Sequence, residues 1–344
     1  MPPNALVVVG ASAGGVEALR ALVAGLPGDL PAAVLVVLHI PRQGPSALPG
    51  ILTRAGALRA AAAVHGERLR GERIFVAPAD HHMLVFDTRI ALSRGPAENG
   101  HRPAVDPLFR SAAHAWGPRT IAVVLSGARD DGTAGADDVV QLGGRLLVQD
   151  PRDALHDSMP RSVLTHVKTD GVYPAAELGR AVTELVAAVA ETDAAPVATD
   201  TDAPGVPVDT DAPLEDVDLG AGAVSLPSVG LACPDCGGGL FELPGEPTPR
   251  YRCWVGHVWS PGSLLDAQGV AFEKALWVAL RGLDEKAELA RRMADASQRR
   301  GRHRSADRFE EASREAQHAG RVLRGLIARL AAAGTPAEEP EQAG

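Results

Sequence analysis

At 344 residues the chain is too long for one average domain, and about two are expected. Hydrophobic residues at 45% against 22% charged give the balance of a soluble protein with a real core, while a formal charge of −9 argues against nucleic-acid binding by the whole chain. The longest purely apolar stretch is of strand length, as in Ala33 to Leu38, so no membrane span is predicted, and the Met-Pro-Pro-Asn start lacks the marks of a signal peptide.

In chain order, Ala5 to Val9 is predicted as a buried strand and Val16 to Leu26 as a helix, with apolar residues at three- and four-residue spacing. Ala33 to Leu38 and Arg73 to Ala77 are the next strands. A hairpin follows from Met83 to Ser93, turning at Asp87-Thr88. Val105 to Trp116 is predicted helical, Thr120 to Ser126 extended, Thr133 to Leu142 helical and Arg145 to Gln149 extended. Ala175 to Ala190 closes the unit as a helix. Continuous Val/Leu/Ile strands between amphipathic helices imply an α/β fold, a doubly wound, mostly parallel sheet over residues 1–190.

Composition then changes. Residues 191–218 hold nine acidic residues and no Lys or Arg, and Thr-Asp-Ala-Pro occurs at 201–204 and again at 210–213. Such a segment buries too little apolar surface to offset its ordering entropy, so 191–229 is expected to be a disordered acidic linker. Without those nine acids, the remaining 34 balance the 34 bases elsewhere. The net charge is therefore mostly a linker property. A small Cys-containing unit is predicted at 230–262, a helical segment at 263–333 broken near Arg300-Gly301, and a frayed tail at 334–344.

The chemistry lies at strand ends. Gly10-Ala-Ser-Ala-Gly-Gly15 follows a buried strand and precedes a helix, so small residues allow a tight turn that exposes the Ser12 hydroxyl near free helix N–H groups. Taken alone, such a loop is equally a structural turn or a phosphate cradle. The dinucleotide fingerprint wants Gly where Ser12 stands and an acid closing the second strand, which here closes with His39. Asp131 sits in a glycine-bracketed turn after the strand at 120–126. Individually, His39 reads as a core-edge histidine and Asp131 as a helix cap. Together, three catalytic residue types share one edge of one sheet, in the order Ser, His, Asp. The α/β-hydrolase order is Ser, Asp, His, so that fold is excluded.

These motifs resemble the catalytic domain of the CheB-type chemoreceptor glutamate methylesterases. The resemblance rests on Gly10 to Gly15, Leu38-His-Ile-Pro41, Val105 to Ser111, Leu125 to Gly135 and Ser158-Met-Pro160, which cover the α/β unit in order. It implies Ser12 as nucleophile, His39 as base and Asp131 as the residue that orients it. Asp131 is preferred to Asp130 because it directly precedes Gly132. The implied substrate is a methylated chemoreceptor-like protein, with glutamine deamidation as a side activity, and catalysis needs no cofactor. Two departures are Ala13, where the family often has Thr, and Ala128, where it commonly has Met. The family's usual N-terminal phosphate-receiver domain does not precede the first strand, so phosphorylation control in cis is not expected. A catalytically decayed scaffold is the alternative.

Cys233-Pro-Asp-Cys236 and Cys253-Trp-Val-Gly-His257 give two knuckles separated by sixteen residues. Four such ligands suit a closed tetrahedral zinc, and because no position stays open a structural role is expected. This unit is predicted to be zinc-ribbon-like. Three clustered cysteines also point to a reducing compartment, hence the cytoplasm. In the helices, Arg291, Arg292, Arg299, Arg300, Arg302 and Arg304 are interleaved with acids such as Glu285, Glu288 and Asp295. Mixed charge is usually a solvated face, so docking of a regulatory protein is expected there rather than nucleic acid. Leu276, Leu280, Leu283, Leu323, Leu326 and Leu330 are expected to form a helical-hairpin seam.

Overall fold

A computed structural model describes residues 2–44, 46–190, 228–243 and 249–333. Most of the expected acidic linker (191–227) and the expected tail (334–344) lie outside the described residues. The chain divides into two compact units, one ending at Leu264 and one beginning at Leu265.

The first unit opens with β1 (Ala5–Ala11), α1 (Gly15–Ala24), β2 (Ala32–Leu38), α2 (Leu48–Ala55), β3 (Arg59–Ala62) and β4 (Arg73–Val76). A separate antiparallel hairpin follows, β5 (His82–Phe86) with β6 (Arg89–Ser93). Then come α3 (Val105–Trp116), β7 (Thr120–Val124), α4 (Thr133–Gln141), β8 (Arg145–Gln149), α5 (Ser158–His166), β9 (Gly171–Tyr173) and α6 (Ala175–Ala190). The central sheet has seven strands in the order β3-β4-β2-β1-β7-β8-β9. Every neighbouring pair in it is parallel.

Side-chain alternation explains why both faces are covered. Ala5, Val7, Val9 and Ala11 of β1 enter the core shared with α1 and α6, while Leu6 and Val8 enter the opposite core with α3. Neither face reaches water, so β1 and β2 are apolar at every position. Four elements are not anticipated by the sequence reading: α2, β3, α5 and β9. β3 is an edge strand of Arg-Ala-Ala-Ala with no β-branched residue, and β9 has only three residues. α5 begins Ser-Met-Pro, a proline position that suits a helix's first turn and that hydrophobic periodicity does not register.

A four-stranded antiparallel sheet completes this unit, with β10 (Ser228–Ala232), β11 (Gly239–Glu242), β12 (Tyr251–Cys253) and β13 (Val258–Trp259). It carries the three cysteines and packs against the segment that precedes α3. Asn99 N–H donates to Val258 O at 2.8 Å, and Val258 N–H donates to Ala97 O at 3.3 Å. Arg250, just before β12, reaches Glu98 at 2.8 Å, and Arg110 of α3 reaches the same carboxylate at 2.9 Å. Burial would raise the Glu98 pKa, but the two guanidinium groups outweigh it and hold the carboxyl below its usual range. Glu98→Gln therefore removes the buried charge that the Arg250 and Arg110 guanidinium groups share, and we expect a loss of about 3–5 kcal/mol in a urea unfolding curve. The stabilisation by the ionised group exists above the unfolded carboxylate pKa and fades as pH falls through the lower folded value, so the two proteins should converge in acid.

The second unit comprises most of α7 (Pro261–Arg299) together with α8 (His303–Ala333). Gly301, at φ 65°, lies in the break between them. Leu280 is buried beside Gly320, and Ser313 Oγ donates to Ala287 O at 2.9 Å, so the helices run antiparallel. Alanines 287, 290, 294, 306 and 316 fill much of the seam, whereas Leu330 is exposed. Among the described residues no helix is long and apolar enough to cross a membrane.

Candidate active site

The strand order reverses around β1: the chain moves outward through β2 and β4, then returns to place β7 on the other side. Crevices at the carboxyl ends of strands at such a reversal are where open α/β sheets bind ligands. Ser12 follows β1, His39 follows β2, and Asp131 lies between β7 and α4. Gly14, at φ 70°, lets the chain turn from β1 into α1 within three residues, in a conformation that favours glycine. Ser12 N–H donates to Ser126 O at 2.9 Å, and His39 N–H donates to Ala11 O at 3.1 Å. Backbone bonds thus lock the three strand ends together before any side chain is considered.

The side chains then meet. His39 Nδ1 is 3.0 Å from Ser12 Oγ, and His39 Nε2 is 2.7 Å from Asp131 Oδ2. A carboxylate only accepts, so the ring proton belongs on Nε2 and leaves Nδ1 as the free base facing the serine. Asp131 is buried and its two oxygens are fully used. Oδ2 also accepts from Val105 N–H at 2.7 Å, and Oδ1 accepts from Asn99 Nδ2 at 3.0 Å and Asp106 N–H at 3.2 Å. Burial pushes the carboxyl up, but the His39 hydrogen bond and charge and the Val105 amide outweigh it and hold Asp131 far below the usual range. Asp130, one residue earlier, points elsewhere, accepting from Ser260 Oγ at 2.8 Å and Ser263 Oγ at 2.5 Å.

Three further residues surround this array without having been singled out by the sequence. Asn99 uses one amide nitrogen to bridge Asp131 and Asp106, donating to Asp106 Oδ2 at 2.9 Å. Asp106 Oδ1 accepts from Gly132 and Gly135 N–H, fixing the loop into α4. Burial, then repulsion from Asp131 and Glu98, raises the Asp106 carboxyl well above its usual range. His101 stacks on His39 with ring centroids 3.7 Å apart and planes 8° from parallel. Burial and the neighbouring His39 lower its pKa to about 4, which keeps the stacked ring neutral near neutrality. An Asn99-Gly100 pair marks a turn in any sequence, but nothing in the sequence connects that turn to residues 39 and 131.

Gly127 closes the site from the β7 side. A Cβ there would lie 2.0 Å from Met159 Sδ and 2.9 Å from Ser12 Cβ, so glycine is required by close approach. Met159 N–H donates to Gly127 O at 2.9 Å, which is how the Ser158-Met-Pro160 motif reaches the serine turn.

Cys233, Cys236, Cys253 and His257 also converge, with ligand atoms all within 4.8 Å of one another, a set suited to hold a metal ion. Cys236 Sγ and Cys253 Sγ are 3.6 Å apart, far beyond a disulfide bond of about 2.05 Å. His257 Nδ1 lies 3.5 Å from Cys253 Sγ and 3.7 Å from Cys233 Sγ. A tetrahedral zinc with bonds of about 2.0–2.3 Å separates its ligands by about 3.5–3.8 Å. These three separations match that spacing.

Comparison with known proteins gives the following. The family model described as CheB methylesterase matches residues 7–182. The chain is 34% identical over 189 residues to protein-glutamate methylesterase/protein-glutamine glutaminase 2 of Methanosarcina mazei, covering 53% of this chain and 52% of the relative. It is 38% identical over 180 residues to the enzyme of the same name from Anaeromyxobacter dehalogenans, covering 52% and 53%. The crystal structure of the Thermotoga maritima CheB methylesterase catalytic domain superposes with a TM-score of 0.51 at 32% identity, covering 53% of this chain and 98% of that domain. The chain spans about half the length of the curated relatives it matches.

Proposed function

Because the chain belongs to the CheB methylesterase family, we propose that it hydrolyses glutamate γ-methyl esters on chemoreceptor-like proteins, with Ser12, His39 and Asp131 as its catalytic triad. The observation that carries this reading is the unbroken hydrogen-bond relay from Ser12 Oγ through His39 to Asp131. Residues 1–190 are the catalytic domain in this reading.

The chemistry follows from the relay. Nδ1 of His39 takes the Ser12 proton as Oγ attacks the γ-carbonyl carbon. Asp131 stabilises the imidazolium, and neutral His101 supports the ring without opposing its charge. The oxyanion is assigned to the start of α1, where the first amides of a helix carry no intrahelical acceptor. Nδ1–H then protonates the departing methoxide, methanol leaves, and water repeats the sequence on the acyl-enzyme to give glutamate. A glutamine γ-amide would pass through the same acyl-enzyme with ammonia as the leaving group, in keeping with the double name of the relatives.

The alternative of a decayed scaffold sits poorly with a complete relay. On α7, Arg291 pairs with Glu288 at 2.9 Å and Asp295 at 3.3 Å, which favours a solvated helix over a nucleic-acid reader. Exposed Phe272, Trp277 and Val278 on the same helix support docking of a regulatory protein. The Cys3His set is read as a structural zinc site in a zinc-ribbon-like unit, since four protein ligands leave no open position for substrate. Its free thiols are consistent with a reducing cytoplasm.

The test is methanol release from a receptor fragment carrying radiolabelled glutamate methyl esters. Release matching the ester lost, and none from the demethylated fragment, is expected. Release no faster than in the enzyme-free blank overturns the reading.

A further inference from the structure

The turn Glu98–His101 is the one stretch that touches both His39 and Asp131 among the contacts described above: His101 stacks on His39, and Asn99 donates to Asp131. The cysteine-bearing unit holds this same turn and the two residues before it. Asn99 N–H and Ala97 O form backbone bonds with Val258, a bridge that adds Glu98 to the edge of β13. Ser260 N–H donates to Asn99 Oδ1 at 2.8 Å, which orients the side-chain amide whose nitrogen serves Asp131. Arg250 binds Glu98, Trp259 lies under Gly100, where a Cβ would come within 3.3 Å of its ring, and Gly256 abuts Pro96. The Asp131 loop is gripped a second time, through Asp130 by Ser260 and Ser263.

The sheet making these contacts is itself organised around the Cys3His set. β13 is only two residues long, and it begins immediately after His257. The buried Trp259 donates its indole N–H to Cys233 Sγ at 3.4 Å, so one side chain joins a ligand sulfur to the turn. Short strands of this size do not hold a fold unaided.

We propose that a divalent metal of zinc type, held by Cys233, Cys236, Cys253 and His257, positions the triad by fixing β13 against the turn Glu98–His101. With metal bound, Cys253 and His257 anchor the start of β13, and Cys233 anchors Trp259. The turn then presents Asn99 to Asp131 and His101 to His39. Without metal the two knuckles open, β13 loses its register, and the relay loses its supports while the parallel sheet stays folded. Asn99 and His101 are positioning residues in this scheme, and the metal never meets the substrate. Its kinetic arm rests on the methylesterase reading above, whereas its structural arm does not.

The experiment uses the full chain, loaded with one equivalent of zinc and then stripped by a chelator, for which exposed Cys236 gives access. Two quantities are read: steady-state hydrolysis of a glutamate methyl ester and amide hydrogen exchange. On stripping, kcat should fall about 10- to 100-fold with KM within about twofold, the scale of a misplaced reacting group, and zinc should restore it. Exchange should rise at residues 96–106 and 129–133 while β1 and β7 stay protected. Cys236→Ser should reproduce the stripped state and resist rescue by zinc. Failure to bind zinc, an unchanged kcat in the stripped protein, or exchange rising equally through the whole parallel sheet would each overturn the proposal. If even the zinc-loaded protein shows no hydrolysis, the methylesterase reading falls, and the exchange pattern alone decides whether metal fixes the turn.

Discussion

Ser12→Ala will lower methyl-ester turnover by about 10⁶-fold while leaving the unfolding midpoint unchanged. The two halves of this result have separate causes. Losing the nucleophile removes covalent catalysis altogether, and at 1.36 kcal/mol per decade the effect amounts to about 8 kcal/mol of transition-state stabilisation. The fold does not depend on the hydroxyl, because the turn is held by backbone bonds: Ser12 N–H to Ser126 O and Gly15 N–H to Ser12 O. The seat of the turn is further fixed by Ser126 Oγ donating to Ala13 O at 2.8 Å. A fluorophosphonate probe should label the wild-type chain at Ser12 and leave the variant unlabelled. Activity within tenfold of wild type in a folded Ser12→Ala protein would remove Ser12 from the mechanism.

Asp131→Asn should reduce kcat by about 10⁴-fold and also cost stability. The reason is visible in the donor count. Each carboxylate oxygen accepts from two donors: His39 and Val105 on one, Asn99 and Asp106 on the other. An asparagine has one acceptor oxygen, so either orientation sets its NH2 against two donors. With NH2 toward His39, the imidazole keeps its proton on Nδ1 and faces Ser12 as a donor, which cannot act as base. With NH2 toward Asn99, the turn Glu98–His101 loses its tie. Each unsatisfied buried group costs about 1–3 kcal/mol. The pH dependence gives an independent reading. The folded Asp131 pKa is depressed, so its stabilisation is present above the unfolded value near 3.9 and is lost as pH falls toward the folded one. The variant should lack that acid-dependent component, and its stability deficit should narrow below about pH 4. Equal deficits at pH 7 and in acid would contradict an ionised Asp131.

Much of the α/β unit is readable from local pattern because its strands are buried on both faces. An apolar run such as Ala33 to Leu38 has no polar interruption to confuse it, and α3 spans Val105–Trp116 as its periodicity predicts. Ser12, His39 and Asp131 are legible for a related reason: each follows a strand, and parallel strands bring all such ends to one edge. The choice of Asp131 over Asp130 came from its place before Gly132, and the geometry separates the neighbours, one binding His39 and the other Ser260 and Ser263. The edge strand β3 and the short strand β9 escape because they bury little, and the helix at Ser158 because it carries a proline in its first turn.

What the sequence determined by itself is therefore the set of candidate groups carried by local signals: strand ends, a glycine-framed serine, two cysteine knuckles. What only the tertiary structure decided is which surfaces meet. Asn99 and His101 belong to no recognisable motif, and their roles arise because the segment before α3 passes beside His39 and Asp131. The cysteine unit comes to lie against that turn across more than 130 residues of separation, through bonds such as Arg250 to Glu98 and Ser260 to Asn99. Long-range pairing depends on complementary charge and shape displayed by two distant segments at once, and no window of sequence contains both.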